Sequence, residues 1–413
     1  MATVLFCPVT FNLAETSRAI EVARALGPAH RAVFLAYEHD FVHLIEDAGF
    51  ECVQGAPVLT AAQRDQLLAL DQLRGFRNPF TREFVGARVE CERQLIRRVG
   101  AAAVVIGSNV TSLLSARAEH VPLYFPVPFG LTRPQVAQTP RLGLIGGDGR
   151  VARLADRTVS ALMRVAYNRM PLAPRALRSA ARQLGAPRVR TLPDLFEGDV
   201  TLLTVMPSEV EGYELPSGYR VVGPIFAHID APVPPLVEQL AAGPEPLVYL
   251  GLGSSGSREV ALAASRSLAT LPVNVIAPIA HYLQPGDDVP ANVHVFGLLP
   301  AHRLGRLVDA AVLHGGQGTV QTACATGIPF VGMGMQLEQT WNIAQCVRQG
   351  NALALRKRDA GTPRLADAVR RLLEDPAYRT AAERVRAEYV AADGAAASAR
   401  IIEEGLGDGS PVA

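Results

Sequence analysis

The strongest chemical signal is a glycine-rich turn in the second half of the chain. Residues 310–313 form an apolar run typical of a buried strand, and the sequence HGGQGT follows it directly. Glycines let the backbone approach a ligand, while the free N–H groups and the dipole at the start of the next helix favour an anion. A histidine and a threonine add side-chain donors. We therefore predict a diphosphate site made by His314, Gly315, Gly316, Gly318 and Thr319.

A carboxylate and an amide follow the next strand candidate, which ends near Gly332. Glu338 and Gln339 are expected at the same edge of the sheet as the glycine-rich turn. Carboxylates accept hydrogen bonds from sugar hydroxyls, and amides both donate and accept. Phosphate donors beside sugar acceptors indicate a nucleotide-sugar site. The alternative is an ordinary polar pair at a helix N-terminus.

An earlier glycine-rich turn, GLGSSGS, follows a strand candidate at 246–250. Its GxGxxG spacing is that of a dinucleotide-binding turn, but such a turn needs an acidic residue at the end of the next strand. The next strand, at 273–277, ends without one. We therefore expect Gly253, Ser254 and Ser255 to contact phosphate, and we expect no nicotinamide cofactor.

Short apolar strands alternate with helix-like segments in both halves of the 413-residue chain. Two such runs predict an α/β fold of two Rossmann-like, doubly wound domains facing across a cleft. Sheets of this type bind ligands at the carboxyl ends of their strands. The expected boundaries are a first domain at 1–214, a Pro- and Gly-rich linker at 215–235, a nucleotide-sugar domain at 236–375 and a helical tail at 376–413 that packs back on the first domain.

The combined motifs of the second half resemble the inverting GT-B glycosyltransferases that use UDP- or dTDP-sugars, including the natural-product glycosyltransferases of actinobacteria. The segments that carry the resemblance are GYRVVGP (Gly218–Pro224), GLGSS, HGGQGT (His314–Thr319), ATGIP (Ala325–Pro329) and Glu338-Gln339 with Asn342. The resemblance implies that His314, Ser254 and Thr319 contact the donor diphosphate. It also implies that Glu338 and Gln339 hold the sugar, that no metal or other cofactor is needed, and that the C-terminal helix crosses back to the first domain.

Two departures from the family pattern leave the donor open. Leu299-Pro300-Ala301 replaces an aromatic residue and a glutamine beside the proline of the base-binding loop, so UDP and dTDP both remain candidates. Glu338 stands where aspartate is commoner, so the hexose is not assigned.

Members of this family usually take a catalytic base from a Gly-His pair after the first strand. Here that segment reads PVTFNLAETSRAIEVARAL, and Glu15 occupies the histidine position when counted back from Ala23 and Leu26. Glu15 is therefore the candidate base for the acceptor hydroxyl. Thr10 and Asn12 are candidate acceptor contacts in the same loop. The alternative for Glu15 is a first-turn acidic residue stabilised by the helix dipole.

The segment 150–190 contains ten arginines and one acidic residue, Asp156, for a net charge of +9 in a chain whose total is +1. Apolar residues are interleaved at helical spacing, which predicts a basic amphipathic helix. Two interpretations remain open. One is attraction to an anionic acceptor or an anionic membrane leaflet, and the other is a solvated arginine-rich face.

The near-neutral total charge gives no indication of nucleic-acid binding. The five cysteines are scattered and form no CxxC pair, so neither a disulfide framework nor a zinc site is predicted. The N-terminus has no signal-peptide pattern, and no apolar run approaches the roughly 20 residues of a membrane span. We expect a cytoplasmic protein, with peripheral contact at the inner membrane face through the basic helix as an open alternative.

The predicted function is inverting, metal-independent transfer of a hexose from a UDP- or dTDP-sugar to a small-molecule natural product or a lipid-linked acceptor, as in antibiotic biosynthesis and other secondary metabolism. Two alternatives use the same architecture: a nucleotide-sugar 2-epimerase and a non-catalytic partner of another transferase. Transfer consumes an acceptor, epimerisation does not, and a partner protein turns over neither substrate.

Overall fold

The computed structural model describes residues 1–71, 75, 78–145, 149–228, 231–253 and 255–407. The chain divides into two compact units. Unit 1 contains Met1–Phe226 together with the segment that begins at Asp393, and unit 2 contains Ala227–Ala392. No helix within the described ranges is long and apolar enough to cross a membrane.

Unit 1 is built on a parallel sheet of short apolar strands. In chain order these are β1 (Thr3–Cys7), β2 (Arg31–Ala36), β3 (Glu51–Gln54), β4 (Ala101–Ile106), β5 (Leu123–Val127), β6 (Val200–Leu203) and β7 (Tyr219–Val221). Runs such as VLFC and AAAVVI are apolar on both faces, as expected of strands covered by helices on each side. The order across the sheet is β3-β2-β1-β4-β5-β6-β7.

Eight helices of the described chain connect these strands. They are α1 (Leu13–Leu26), α2 (Val42–Asp47), α3 (Ala61–Asp71), α4 (Arg82–Val99), α5 (Val110–Ala118), α6 (Arg133–Gln138), α7 (Arg150–Arg169) and α8 (Arg175–Gln183). Asn12 begins α1 as its N-cap, because its side chain accepts from the backbone N–H groups of Ala14 and Glu15. Gly100 ends α4 in the left-handed conformation that favours glycine.

Unit 2 repeats the arrangement with a smaller parallel sheet. Its strands are β8 (Leu247–Gly251), β9 (Asn274–Ala277), β10 (Val293–Val295), β11 (Ala310–Leu313), β12 (Phe330–Gly334) and β13 (Ala352–Arg356), in the order β10-β9-β8-β11-β12-β13. Its helices are α9 (Pro235–Ala241), α10 (Arg258–Leu268), α11 (Gln317–Thr326), α12 (Leu337–Gln349), α13 (Pro363–Glu374) and α14 (Pro376–Val390). The core consists of buried aliphatic side chains from the strands, α10 and α13.

The chain order of the strands reverses once in each sheet. In unit 1 the reversal lies between β1 and β4, and in unit 2 it lies between β8 and β11. At such a point the loops that leave the carboxyl ends of the two strands diverge, which opens a crevice for a ligand. The topology therefore directs attention to the loops after these four strands.

The structure differs from the expected linker and tail. The segment 215–235 contains β7, whose Tyr219 is buried and pairs with Thr201 of β6. The segment 376–413 divides between the units, because Ala382 and Val385 of α14 are buried in unit 2, where α14 packs on α11. Of the two helices in this segment, only the second, α15 (Gly394–Gly407), belongs to unit 1.

Helix α15 completes the core of unit 1. Its Ala399 and Ile402 are buried in the same cluster as Ile20 of α1 and Val4 of β1. Gly394 donates its N–H to the Pro224 carbonyl at 3.0 Å, which fixes where the helix begins.

Because Ile402 is fully buried, Ile402→Ala should lower the free energy of unfolding by about 2–5 kcal/mol through lost burial and the cavity left behind. Urea denaturation followed by circular dichroism measures the change. Val390→Ala, at the exposed end of α14, is the control and should change stability by less than about 0.5 kcal/mol. Equal effects of the two substitutions would contradict the role given to α15.

Candidate donor and acceptor sites

The loops after β8 and β11 lie side by side, because these strands pair in parallel with Leu313 opposite Gly251. Gly253 has φ of 55° and Gly315 has φ of 87°, a region that favours glycine. Helix α11 begins directly after Gly316, which has no side chain to accept from the first-turn N–H groups. The start of a helix of this kind favours an anion through its backbone N–H groups and its dipole.

The imidazole of His314 fills the space between two of these glycines and is 6% exposed. A Cβ atom added to Gly253 would lie 2.5 Å from its Cε1, and one added to Gly316 would lie 2.3 Å from its Nε2. Both distances are far shorter than van der Waals contact. The two positions therefore require glycine as long as the ring keeps this place.

Burial lowers the pKa of His314 to about 4, and hydrogen bonding to the Gly251 carbonyl opposes this only in part. Nδ1 lies 3.3 Å from that carbonyl oxygen. Because a carbonyl only accepts, the proton lies on Nδ1, and Nε2 beside the start of α11 carries a lone pair. Because the pKa of about 4 lies well below 7, the ring is neutral at pH 7. The N–H or charge expected of His314 at a phosphate then requires proton uptake at Nε2.

Gln339 joins the first glycine-rich loop to the loop after β12 instead of standing free. Its Oε1 accepts from the Met335 N–H at 2.9 Å, and its Nε2 donates to Ser255 Oγ at 3.0 Å and to Gln336 Oε1 at 2.5 Å. It is also buried. This side chain fixes the first loop to the loop after β12. Ser254, expected at phosphate, lies outside the described residues.

Asn342 connects Glu338 to the glycine-rich turn by hydrogen bonds. The Asn342 amide donates to the Gly315 carbonyl at 3.0 Å and to Glu338 Oε1 at 2.5 Å. Glu338 is only partly buried, so its carboxylate is oriented and still reaches solvent. Thr319 is half-buried and lines a small apolar pocket with Tyr249 and Leu304.

Tyr282 was not found by sequence reasoning. Its hydroxyl donates to the Gly253 carbonyl, and its ring leaves no room for a side chain at Gly256, where an added Cβ would lie 2.6 Å from the hydroxyl. The tyrosine therefore holds the first glycine turn in place. The contact could not be predicted from the sequence, because Tyr282 is far from that turn along the chain.

Glu15 is held at the corresponding point of unit 1. Its Oε1 accepts from Ser108 Oγ at 2.6 Å, and its Oε2 accepts from the N–H groups of Ser108 at 2.8 Å and Val9 at 3.3 Å. Ser108 follows β4 and Glu15 follows β1, so the contact closes the reversal point of the sheet. A Cβ atom on Gly107 would lie 2.1 Å from Glu15 Oε2.

The other two expected acceptor contacts have structural roles. Thr10 is fully buried, and its hydroxyl donates to the Glu38 carbonyl at 2.7 Å and accepts from the Glu38 N–H at 3.2 Å. Its side chain therefore has no surface to offer an acceptor. Asn12 caps α1 and so fixes the helix turn that carries Glu15. Ser108 was missed, although its position directly after an apolar strand was a usable signal.

Comparison with known proteins identifies the class of enzyme. Residues 266–404 match the family described as erythromycin biosynthesis protein CIII-like, C-terminal domain. The chain is 30% identical over 392 residues to the PGL/p-HBAD biosynthesis glycosyltransferase of Mycobacterium tuberculosis (strain ATCC 25177 / H37Ra), which covers 92% of this chain and 87% of the relative. The chain belongs to this glycosyltransferase family. A PGL/p-HBAD biosynthesis rhamnosyltransferase of Mycobacterium bovis (strain BCG / Pasteur 1173P2) is 27% identical over 396 residues, which cover 92% of this chain and 83% of that relative.

Solved structures establish the fold of the glycosyltransferase. The spinosyn forosaminyltransferase SpnP superposes with a TM-score of 0.69 at 17% identity and covers 98% of this chain and 99% of its own. Glycosyltransferase VinC in complex with dTDP superposes with a TM-score of 0.68 at 19% identity and covers 98% of this chain and 100% of its own. The two parallel-sheet units are those of a GT-B glycosyltransferase, and the resemblance drawn from the sequence is confirmed.

The roles of individual residues in this glycosyltransferase stay predictions. The structure packs Gly253 and Gly316 around the His314 imidazole, and Asn342 connects Gly315 with Glu338 by hydrogen bonds to both. Among the expected sugar contacts, Gln339 is committed to loop contacts and Glu338 is the accessible one.

Gly316→Ala should weaken dTDP and UDP binding by about tenfold or more, equal to at least about 1.4 kcal/mol, because the added methyl group displaces the His314 ring. Isothermal titration calorimetry measures the binding constant. Gly86→Ala in α4, where an added Cβ meets nothing within 4 Å, is the matched control and should bind as the wild type does. Unchanged binding by Gly316→Ala would show that the nucleotide does not use this turn.

Proposed function

We propose that this glycosyltransferase transfers a hexose, with inversion at the anomeric carbon, from an α-linked dTDP- or UDP-sugar to a small-molecule natural product or a lipid-linked acceptor. The observation that carries the proposal is the packing of the His314 ring between Gly253 and Gly316 at the start of α11. The dTDP named with VinC and the rhamnosyltransferase activity named for the mycobacterial relative support a nucleotide-sugar donor.

The donor diphosphate is bound by backbone and imidazole together. The N–H groups at the first turn of α11 donate to the phosphate oxygens, and the helix dipole favours their charge. An anion beside His314 Nε2 stabilises the imidazolium form, which raises the low pKa of this group toward neutrality. Nε2 then becomes a donor to the departing diphosphate, so the charge appears only where the leaving group needs it.

The sugar is oriented by Glu338. Asn342 donates to one of its carboxylate oxygens, and sugar hydroxyls donate to such oxygens. Because Asn342 also donates to the Gly315 carbonyl, the sugar contact and the phosphate turn are fixed to each other. The position of the anomeric carbon relative to the diphosphate is thereby constrained.

The acceptor hydroxyl is deprotonated by Glu15. As the acceptor oxygen forms its bond to the anomeric carbon, the hydroxyl proton passes to the Glu15 carboxylate and the bond from that carbon to the diphosphate breaks with its electron pair on the leaving oxygen. Ser108 donates to both carboxylate oxygens. It therefore acts as a positioning residue that sets the direction of the remaining lone pairs.

The named relatives favour transfer over the two alternatives left open by the sequence, 2-epimerisation and a non-catalytic auxiliary role. We propose a cytoplasmic setting, which the five free cysteines support. Contact with the inner face of a membrane depends on a different surface, helix α7.

Glu15→Gln should lower kcat for transfer by about a hundredfold or more, because the amide cannot take the proton. Ser108→Ala should lower it less, since the backbone N–H still holds Oε2. Glu21→Gln, on the same helix, is the control and should keep wild-type activity. The assay is transfer from dTDP-glucose or UDP-glucose to a panel of phenols and macrolactones, with the anomeric configuration read by NMR.

Two results would overturn this proposal. An unchanged kcat in Glu15→Gln would show that Glu15 is not the catalytic base. Conversion of the nucleotide sugar into its epimer, with no glycoside formed, would show that the enzyme is an epimerase and not a transferase. Nucleotide affinity should be the same in Glu15→Gln and the wild type, which separates a chemical defect from a binding defect.

A further inference from the structure

Helix α7 presents large apolar side chains to solvent. Val151 is 83% exposed, and Leu154 and Leu162 are each 67% exposed. Val165, further along the helix, is exposed as well. Large apolar side chains scattered singly over a surface need no explanation, but a continuous row of this kind marks a contact surface.

The buried face of the same helix is polar. Asp156 and Ser160 are fully buried. Asp156 accepts from Arg141 Nε and from the Ile145 N–H, each at 3.0 Å, and Ser160 Oγ accepts from the Leu142 N–H at 2.9 Å. These hydrogen bonds fix the rotation of the helix, because turning the apolar row inward would move Asp156 and Ser160 out to solvent and take the acceptors away from the N–H groups of Leu142 and Ile145.

Tyr167 adds a further anchor. Its hydroxyl donates to the Leu131 carbonyl at 2.6 Å, in the loop that follows β5. Because β5 pairs with β4, whose loop carries Ser108, the helix is tied to the same sheet edge as Glu15. The outward apolar row is therefore attached to the edge where the acceptor is proposed to react.

Arginines flank the apolar row. Arg150, Arg157 and Arg169 are exposed on α7, and the segment 150–190 carries a net charge of +9 while the rest of the chain carries −8, since the total is +1. A long helix with an apolar stripe and a guanidinium border is the pattern of a helix that lies in a membrane interface. The apolar side chains enter the acyl boundary and the guanidinium groups meet anionic headgroups.

We propose that α7 docks this chain on an anionic phospholipid leaflet. Pairing of two copies through this face would bring like-charged arginines together, which opposes association, whereas an anionic leaflet satisfies the apolar row and the charge at once. Docking through α7 brings the Glu15 edge of unit 1 to the lipid surface. The proposal does not depend on sugar transfer, since vesicle binding is measured without substrates.

The test is co-sedimentation of the full chain with vesicles of phosphatidylcholine alone and of phosphatidylcholine mixed with phosphatidylglycerol. The wild type should bind the mixed vesicles, and added salt should weaken binding. The pairs Leu154→Gln with Leu162→Gln, and Arg150→Gln with Arg157→Gln, should each lower the partition coefficient by about tenfold. The control pair, Leu236→Gln with Val390→Gln, removes exposed apolar side chains from unit 2 and should bind as the wild type does.

Three outcomes would overturn the proposal. The wild type fails to bind mixed vesicles, or it binds neutral vesicles equally well, or both α7 pairs bind as the control does. Light scattering after gel filtration supplies a separate check. If the wild type is an oligomer that the Leu154 and Leu162 substitutions dissociate, the row is a protein interface and the lipid proposal fails.

Discussion

The packing of the His314 ring between Gly253 and Gly316 is the contact on which the candidate donor site depends. It requires glycine on both sides, it brings the loops after β8 and β11 into contact, and it removes the imidazole from water so that its pKa falls to about 4. The hydrogen bonds of Gln339 and Asn342 hold the surrounding loops against this contact. A neutral ring beside a helix N-terminus is then ready to respond to an arriving anion.

The same topology creates the second site. Each sheet reverses its strand order once, and each reversal point holds a carboxylate or an imidazole that a neighbouring loop fixes in direction. In unit 1 the Ser108 loop holds Glu15, as the two glycine loops hold His314 in unit 2. The chemistry therefore follows from where parallel strands end, and the side chains at those ends decide which reaction is carried out.

Local signals predicted much of this structure. The strand expected at 310–313 has those same bounds as β11, because a buried apolar run is recognised from neighbouring positions of the sequence. The contact of Ser108 with Glu15 joins distant parts of the chain and has no periodic signature. The protonation of His314 depends on burial by several loops. The outward apolar row of α7 could not be predicted either, since its direction is set by partners of Asp156 and Ser160 outside the helix.

The most direct test of the donor site is calorimetric binding of dTDP near neutral pH, in two buffers of different ionisation enthalpy, to the wild type and to His314→Gln. Proton uptake by the imidazole predicts an observed enthalpy that depends on the buffer more strongly in the wild type than in the variant, together with an affinity loss of about tenfold or more in the variant. Equal affinity and equal buffer dependence in the two proteins would contradict the account, because the diphosphate would then bind without His314.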